Sequence, residues 1–277
     1  MNAPSPLPAA AELLPGGLVT EGGLARDYAF VPADGALELA LGEVAPLATS
    51  TPQAVSLTLV AALHSVAGGV ASRERVDGLC VADRQFLMRQ LARHLGDEGG
   101  WFDACCGACG AHFDFRLDYR DLPVKPAGPD FPRTSVRLGR RSLTLRVPTG
   151  ADQLRLLDAP AAEREIHLLG ALLDRFDGLE LARGANADER RRLEATLEEI
   201  APAVCTEVAA PCPECGHVTR VGIDPYGVLA RSSDDLLGDI HRLASNYHWS
   251  EAEILALPRL RRQRYLQLID RSRGLTQ

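Results

Sequence analysis

The sequence predicts an α+β fold: a split zinc ribbon with β-hairpins, a helical insert and a C-terminal helical segment. Three observations lead there. Two cysteine knuckles, Cys106-Gly107-Ala108-Cys109-Gly110 and Cys212-Pro213-Glu214-Cys215-Gly216, stand far apart in the chain. Each sets two thiols at a spacing where a tight turn aims both sulfurs at one point, and the glycine after the second Cys permits positive φ. Strand-like segments adjoin both knuckles, and elsewhere apolar residues recur at helical spacing.

The first 17 residues, rich in Ala and Pro, read as a disordered tail. Residues 18–100 form an N-terminal region with a small β element and two helices. Within it, Ala36 to Leu41 has the period-two pattern of a half-buried strand. Ser50-Thr51-Pro52 offers a cap and a first-turn proline for a buried helix from Ala54 to Ala67, stopped by Gly68-Gly69. A second helix runs from Ala82 or Asp83 to Leu95. Phe86, Leu87, Leu91 and Leu95 line one face, and Arg84, Arg89 and Arg93 turn to water.

Residues 101–227 carry the split ribbon. His112 to Tyr119 alternates strictly, as the strand leaving the first knuckle should, and Pro123, Pro126, Pro129 and Pro132 make an extended linker. The insert, 110–211, holds a hairpin (Ser135 to Leu138, a turn at 139–141, Leu143 to Val147) and a capped loop at Pro148 to Asp152. It also holds a helix over Ala161 to Phe176 with Ile166, Leu169, Leu172, Leu173 and Phe176 at the spacing of one inward face, and another over Asn186 to Ile200 with Leu193, Leu197 and Ile200 inward. Val204 to Val208 and Val218 to Ile223 are the strands into and out of the second knuckle. Residues 228–277 are helical: one stripe from Ser232, a capping box at Ser250-Glu251-Ala252-Glu253, and a helix opened by Pro258. In that last helix Arg259, Arg261, Arg262, Arg264, Arg271 and Arg273 are expected to stay solvated.

Composition bounds the function. Of 277 residues, 46% are hydrophobic and 24% charged, which is enough to bury a core. A formal charge of −7 and only 5% aromatics argue against generic nucleic-acid binding. No apolar run approaches the ~20 residues of a membrane span, and the start does not read as an export signal. Seven cysteines in such a chain point to metal ligation in a reducing cytoplasm, not to disulfides.

Cys106, Cys109, Cys212 and Cys215 are the candidate metal ligands, and structural Zn²⁺ the cofactor, because four thiolates make a closed tetrahedral shell. Redox pairs are the rival reading. They would sit at the start of a helix, whereas these knuckles lead into strand-like sequence. Cys105, His112 and His217 are near enough to replace a ligand. Cys80 and Cys205 read as core residues, and His64, His94, His167, His241 and His248 as scattered surface or core histidines. No HExxH, P-loop, GxSxG or dinucleotide fingerprint occurs, so no catalytic residue is assigned.

Val228 to Ile269 resembles small proteins encoded in phage-tail-like gene clusters, those of contractile tails and extracellular contractile injection systems. The resemblance is carried by His241-Arg242-Leu243-Ala244, by Tyr247 to Pro258 and by Arg261-Arg262-Gln263-Arg264-Tyr265-Leu266. The two CxxCG knuckles, Arg146 to Asp152 and the helical insert resemble the same group, which is loosely related to baseplate proteins of contractile-tailed bacteriophages. The resemblance implies a non-enzymatic structural or assembly protein, a baseplate component or assembly chaperone, whose partners are other tail or baseplate proteins. The alternative is a zinc-ribbon nucleic-acid-binding regulator using the arginine-rich C-terminal helix.

Overall fold

The core starts earlier than the expected tail ends. In the computed structural model, which describes residues 12–139, 141–230, 234–272 and 274, Leu14 is fully buried. Residues 1–11 of that tail, the hairpin turn at Arg140, the helix start at Ser232 and Arg273 lie outside the described residues. Residues 12–17 are held because the backbone N–H groups of Gly16 and Gly17 donate to the buried carboxylate of Asp83, at 2.7 and 2.8 Å. Gly17 has φ +102°, and a Cβ there would meet the Ala25 carbonyl oxygen at 2.4 Å, so only glycine fits the turn.

A short ribbon follows, β1 (Leu18–Thr20) against β2 (Gly23–Ala25), and then β3 (Tyr28–Phe30). The period-two segment 36–41 is not a strand but part of helix α1 (Gly35–Val44). Six residues of alternating polarity fit either period. Ala, Leu and Glu favour the helix, Leu37 and Leu41 bury one turn apart, and Asp34 caps it by accepting from Leu37 N–H.

Helix α2 (Thr51–Ala62) begins as expected at its Ser50 cap but ends earlier than Ala67. Leu63 leaves the helix to open β4 (Leu63–Val66), which pairs with β3 and with β5 (Gly69–Val70); Ala67 (φ +48°) and Gly68 (φ +76°) make the hairpin turn. Helix α3 (Arg73–Gly78) was not anticipated, and α4 (Val81–His94) matches its expected range. Leu59, Leu87, Met88 and Leu91 centre the core that these helices share with β3–β5.

Two of the arginines expected in water on α4 are inside. Arg84 is 1% exposed and Arg89 is 6% exposed. α4 is covered on more than one side, so a helical wheel with a single apolar stripe misplaces them. Arg84 reaches Asp77, Ser56 and the carbonyls of Pro52 and Val76.

Next come β6 (Gly99–Cys105) and β7 (His112–Asp118), a hairpin, followed by β8 (Val124–Lys125). Beyond the proline stretch lie the hairpin β9 (Arg133–Leu138) and β10 (Arg141–Arg146), then α5 (Gly150–Arg155), α6 (Arg164–Leu172), α7 (Gly178–Gly184) and α8 (Ala187–Ile200). The expected helix to Phe176 stops at Leu172, because Gly170 and Gly178 let α6 and α7 touch backbone to backbone; a Cβ on Gly178 would meet the Gly170 carbonyl at 2.3 Å. Phe176 falls in the link and is 99% exposed instead of inward. Val136, Leu145, Leu172 and Leu193 form this region's own core.

The chain returns through β11 (Ala203–Val204), which pairs antiparallel with β8, so the segment between them leaves and re-enters at one place. β12 (Glu207–Pro211) and β13 (Val218–Gly222) form the second cysteine hairpin; the strand expected over 204–208 is broken in two. Helices α9 (Asp234–Tyr247), α10 (Glu251–Leu255) and α11 (Arg259–Ser272) close the chain around Leu243, Ile254 and Leu266. The ring of Trp249 stacks on Tyr247 at 4.8 Å and meets Tyr265 edge-on at 4.9 Å, packing the junction between α9 and α10. Arg262, expected in solvent, is 1% exposed. Its guanidinium crosses to Glu38 of α1 at 2.5 Å and to the Leu257 carbonyl at 2.8 Å.

Candidate metal centre

Each knuckle is a turn between paired strands, and the two are built alike. In the first, Cys106 N–H donates to the Ala111 carbonyl and Gly110 N–H to the Cys106 carbonyl, both at 2.9 Å. In the second, Cys212 N–H donates to His217 and Gly216 N–H to Cys212, again both at 2.9 Å. Gly110 and Gly216 both have φ +73°, the left-handed conformation their sequence positions anticipate.

The hairpins pack face to face. Ala104, Phe113 and Ala210 form a small apolar floor, with Val221 and Phe115 against it. On that floor the four sulfurs predicted from spacing come together: Cys106, Cys109, Cys212 and Cys215 have their Sγ atoms within 4.8 Å of one another. Cys106 and Cys215 are 3.6 Å apart and Cys109 and Cys212 3.8 Å, far beyond the ~2.05 Å of a disulfide. Four thiols at this spacing could hold one metal ion. The first Cys of each knuckle is buried and the second exposed, so the cluster sits at the surface with one side closed.

The electrostatics favour a cation. Cys106 is drawn down to about 6 by the backbone N–H groups of Cys109 and Ala108, which point at its sulfur. Cys109 also receives an N–H, from Ala111, yet is pushed up to about 12 by its thiol neighbours, Cys215 first. One thiolate forms easily, and Cys109 and Cys215 resist joining it. A divalent ion removes that conflict.

The substitutes stay outside. Among the described residues, Cys105, His112 and His217 do not belong to the cluster. Strand alternation turns Cys105 to the exposed face of β6, where it pairs across with His112 and its thiol reaches toward Gly110 O at 3.7 Å. Cys80 is buried as expected, caps α4 by accepting from Asp83 N–H, and has its thiol pKa raised by burial. Cys205 is only partly buried and donates to Glu207 O at 3.0 Å. His94 Nε2 meets the Val31 carbonyl, and its ring stacks on Phe30.

The Arg146 to Asp152 segment is a structural clasp. Arg146 grips Asp152 with two bonds, at 2.6 and 2.8 Å, while Thr149 and Asp152 make a capping box. Gly150 lies against Arg84, where a Cβ would sit 2.4 Å from the guanidinium. Sequence reading missed these buried ion pairs and a group of arginines around Arg89. Their members come from separate elements and share no local spacing.

No protein-family model matches the chain, and no curated protein or solved structure matches it.

Proposed function

We propose that the protein is a non-catalytic assembly or structural protein stapled by one zinc ion, its two cysteine hairpins acting as the halves of a split zinc ribbon. The observation that carries this is the sulfur spacing. Zn–S bonds of about 2.3 Å in a tetrahedron set the sulfurs about 3.8 Å apart, and the 3.6 and 3.8 Å pairs fit that shell. Cys106, Cys109, Cys212 and Cys215 would hold the ion, which supplies a cross-link between residues on either side of the inserted segment. Four thiolates fill the tetrahedron and leave no position for substrate.

The role in a phage-tail-like contractile system, as baseplate component or assembly chaperone, rests on the resemblance of the C-terminal segment. A rigid body with helical surfaces suits docking to other tail proteins. The nucleic-acid alternative loses ground: Arg262 is spent inside on Glu38, and Arg242 is paired with Asp270. Elemental analysis should find one zinc per chain. Affinity capture from cells expressing the surrounding gene cluster should recover tail or baseplate subunits; a metal-free folded protein defeats the first half of the proposal, and capture of no such subunit the second.

A further inference from the structure

Three guanidiniums are buried among the described residues, and they are not alike. Arg84 has Asp77 and Arg262 has Glu38, but among the described residues no carboxylate lies within ion-pair reach of Arg89. Its Nη1 is cut off from solvent and has no hydrogen-bond partner. A lone buried cation costs several kcal/mol, and a protein carries one where something else compensates it. Burial pulls its pKa below the usual guanidinium range, but an arginine stays charged across ordinary pH.

Arg89 lines a cavity of about 490 Å³ between α4, the N-terminal residues 12–15 and the turn after β7. Three more arginines line it: Arg26, Arg93 and Arg120. Arg26 is fixed by the carbonyls of Leu14 and Pro15, and among the described residues no carboxylate lies within ion-pair reach of it. Arg93 shares Glu12 and Glu98, and Arg120 shares Glu98 and Asp118. Glu12 is the one acid in the lining, against four guanidiniums. Leu13, Leu122 and Val124 supply an apolar part of the lining.

We infer that this cavity is an anion-binding site for a small phosphorylated molecule, its phosphate held by Arg89 and Arg26 and its body lying on Leu13, Leu122 and Val124. Forked guanidiniums suit a phosphate group, and Arg89 and Arg26 are the two in the lining whose charge no ion pair already answers. The volume is that of an ordinary small-ligand site. The site lies beside the β8 root of the inserted segment and is separate from the sulfur cluster, so it stands or falls independently of the metal.

The test uses the full chain with inorganic phosphate and pyrophosphate as probes, followed by calorimetry and thermal unfolding against sodium chloride of equal ionic strength. Wild type should show saturable binding and a raised Tm that chloride does not reproduce. Arg89→Met removes an unpaired charge and keeps the volume, so it should fold at least as stably without phosphate and bind at least about tenfold more weakly. Arg120→Gln, on the exposed rim, folds whatever Arg89 does and should bind more weakly with a shallower salt dependence. No saturable binding by wild type overturns the inference, and so does unchanged affinity in either variant.

Discussion

The chain is stapled in two chemically different ways. The sulfur cluster brings Cys106 to Cys215 at the surface, with Cys109 and Cys215 exposed, on a floor of a few apolar residues. The Arg262–Glu38 pair joins residues 224 apart and is closed over by the packing of α1, α9 and α11. The first staple carries its own geometry in the knuckle and needs only an ion. The second exists only because the core around it has formed, and it then holds that core to one arrangement. Losing an ion at the cluster should therefore loosen the two hairpins and leave the helical cores standing, whereas a buried ion pair cannot lose one partner without damaging the core around it.

Removing the proposed zinc is the largest perturbation, since apparent zinc-binding free energies reach about 10–16 kcal/mol in small zinc modules. Chelation, or Cys109→Ser, should open the two hairpins to protease at residues 99–118 and 207–222. Far-UV circular dichroism should keep most of its helical signal, because Leu59, Leu91 and Leu193 belong to cores without cysteine ligands. Complete unfolding on chelation would erase the distinction between the staples. Unchanged proteolysis would remove the sulfur staple altogether.

Next in size is Arg262→Met. It leaves Glu38 charged and half-enclosed, and breaking a buried pair costs about 3–5 kcal/mol. The double variant Glu38→Leu/Arg262→Met should recover most of that loss, read from urea unfolding midpoints. If single and double variants fall together, the cost is lost packing of the long side chain and the charge is incidental.

This difference also explains what was legible in the sequence. Cys106, Cys109, Cys212 and Cys215 could be read because ligand chemistry fixes their spacing locally, twice over, with the glycine that each turn requires. Helices α4, α8 and α10 were legible through apolar period and caps. Arg84, Arg89 and Arg262 were misplaced because a charged residue on a helical wheel looks solvated until the second covering layer is known. Segment 36–41 was misread because six residues cannot separate a period of two from one of 3.6 when both leave Leu37 and Leu41 on one side. Phe176 was misplaced because the Gly170–Gly178 contact that ends α6 is a tertiary event.

A smaller effect separates buried pairs by pH. Burial pushes Asp152 up, but the Arg146 fork and Thr149 N–H outweigh it and hold the carboxyl below the usual range. A depressed carboxylate contributes stability that is complete above its unfolded pKa, about 3.9, and is lost as pH falls through the folded value. Tm should therefore drop on acidification below about pH 4, and Asp152→Asn should lower Tm near neutrality and flatten that acid limb. Asp83 is raised by burial and has the opposite sign: its contribution belongs to low pH and is lost as pH rises through its folded value. Asp83→Asn should leave the acid limb as steep as in wild type or steeper.

The smallest effect calibrates the others. Arg191 and Asp188 form a close pair on α8 with side chains 72% and 75% exposed. Both ions keep their hydration, salt screens them, and holding two long side chains together costs rotamer entropy, so the gain is close to nothing. Arg191→Ala should leave Tm unchanged at physiological salt, and alanine's helix propensity offsets the little that is lost. A measurable loss would mean that proximity alone stabilises ion pairs here, and enclosure would no longer explain why Arg262 and Asp152 matter. With no such loss, the worth of a guanidinium in this chain follows how completely the core closes over it.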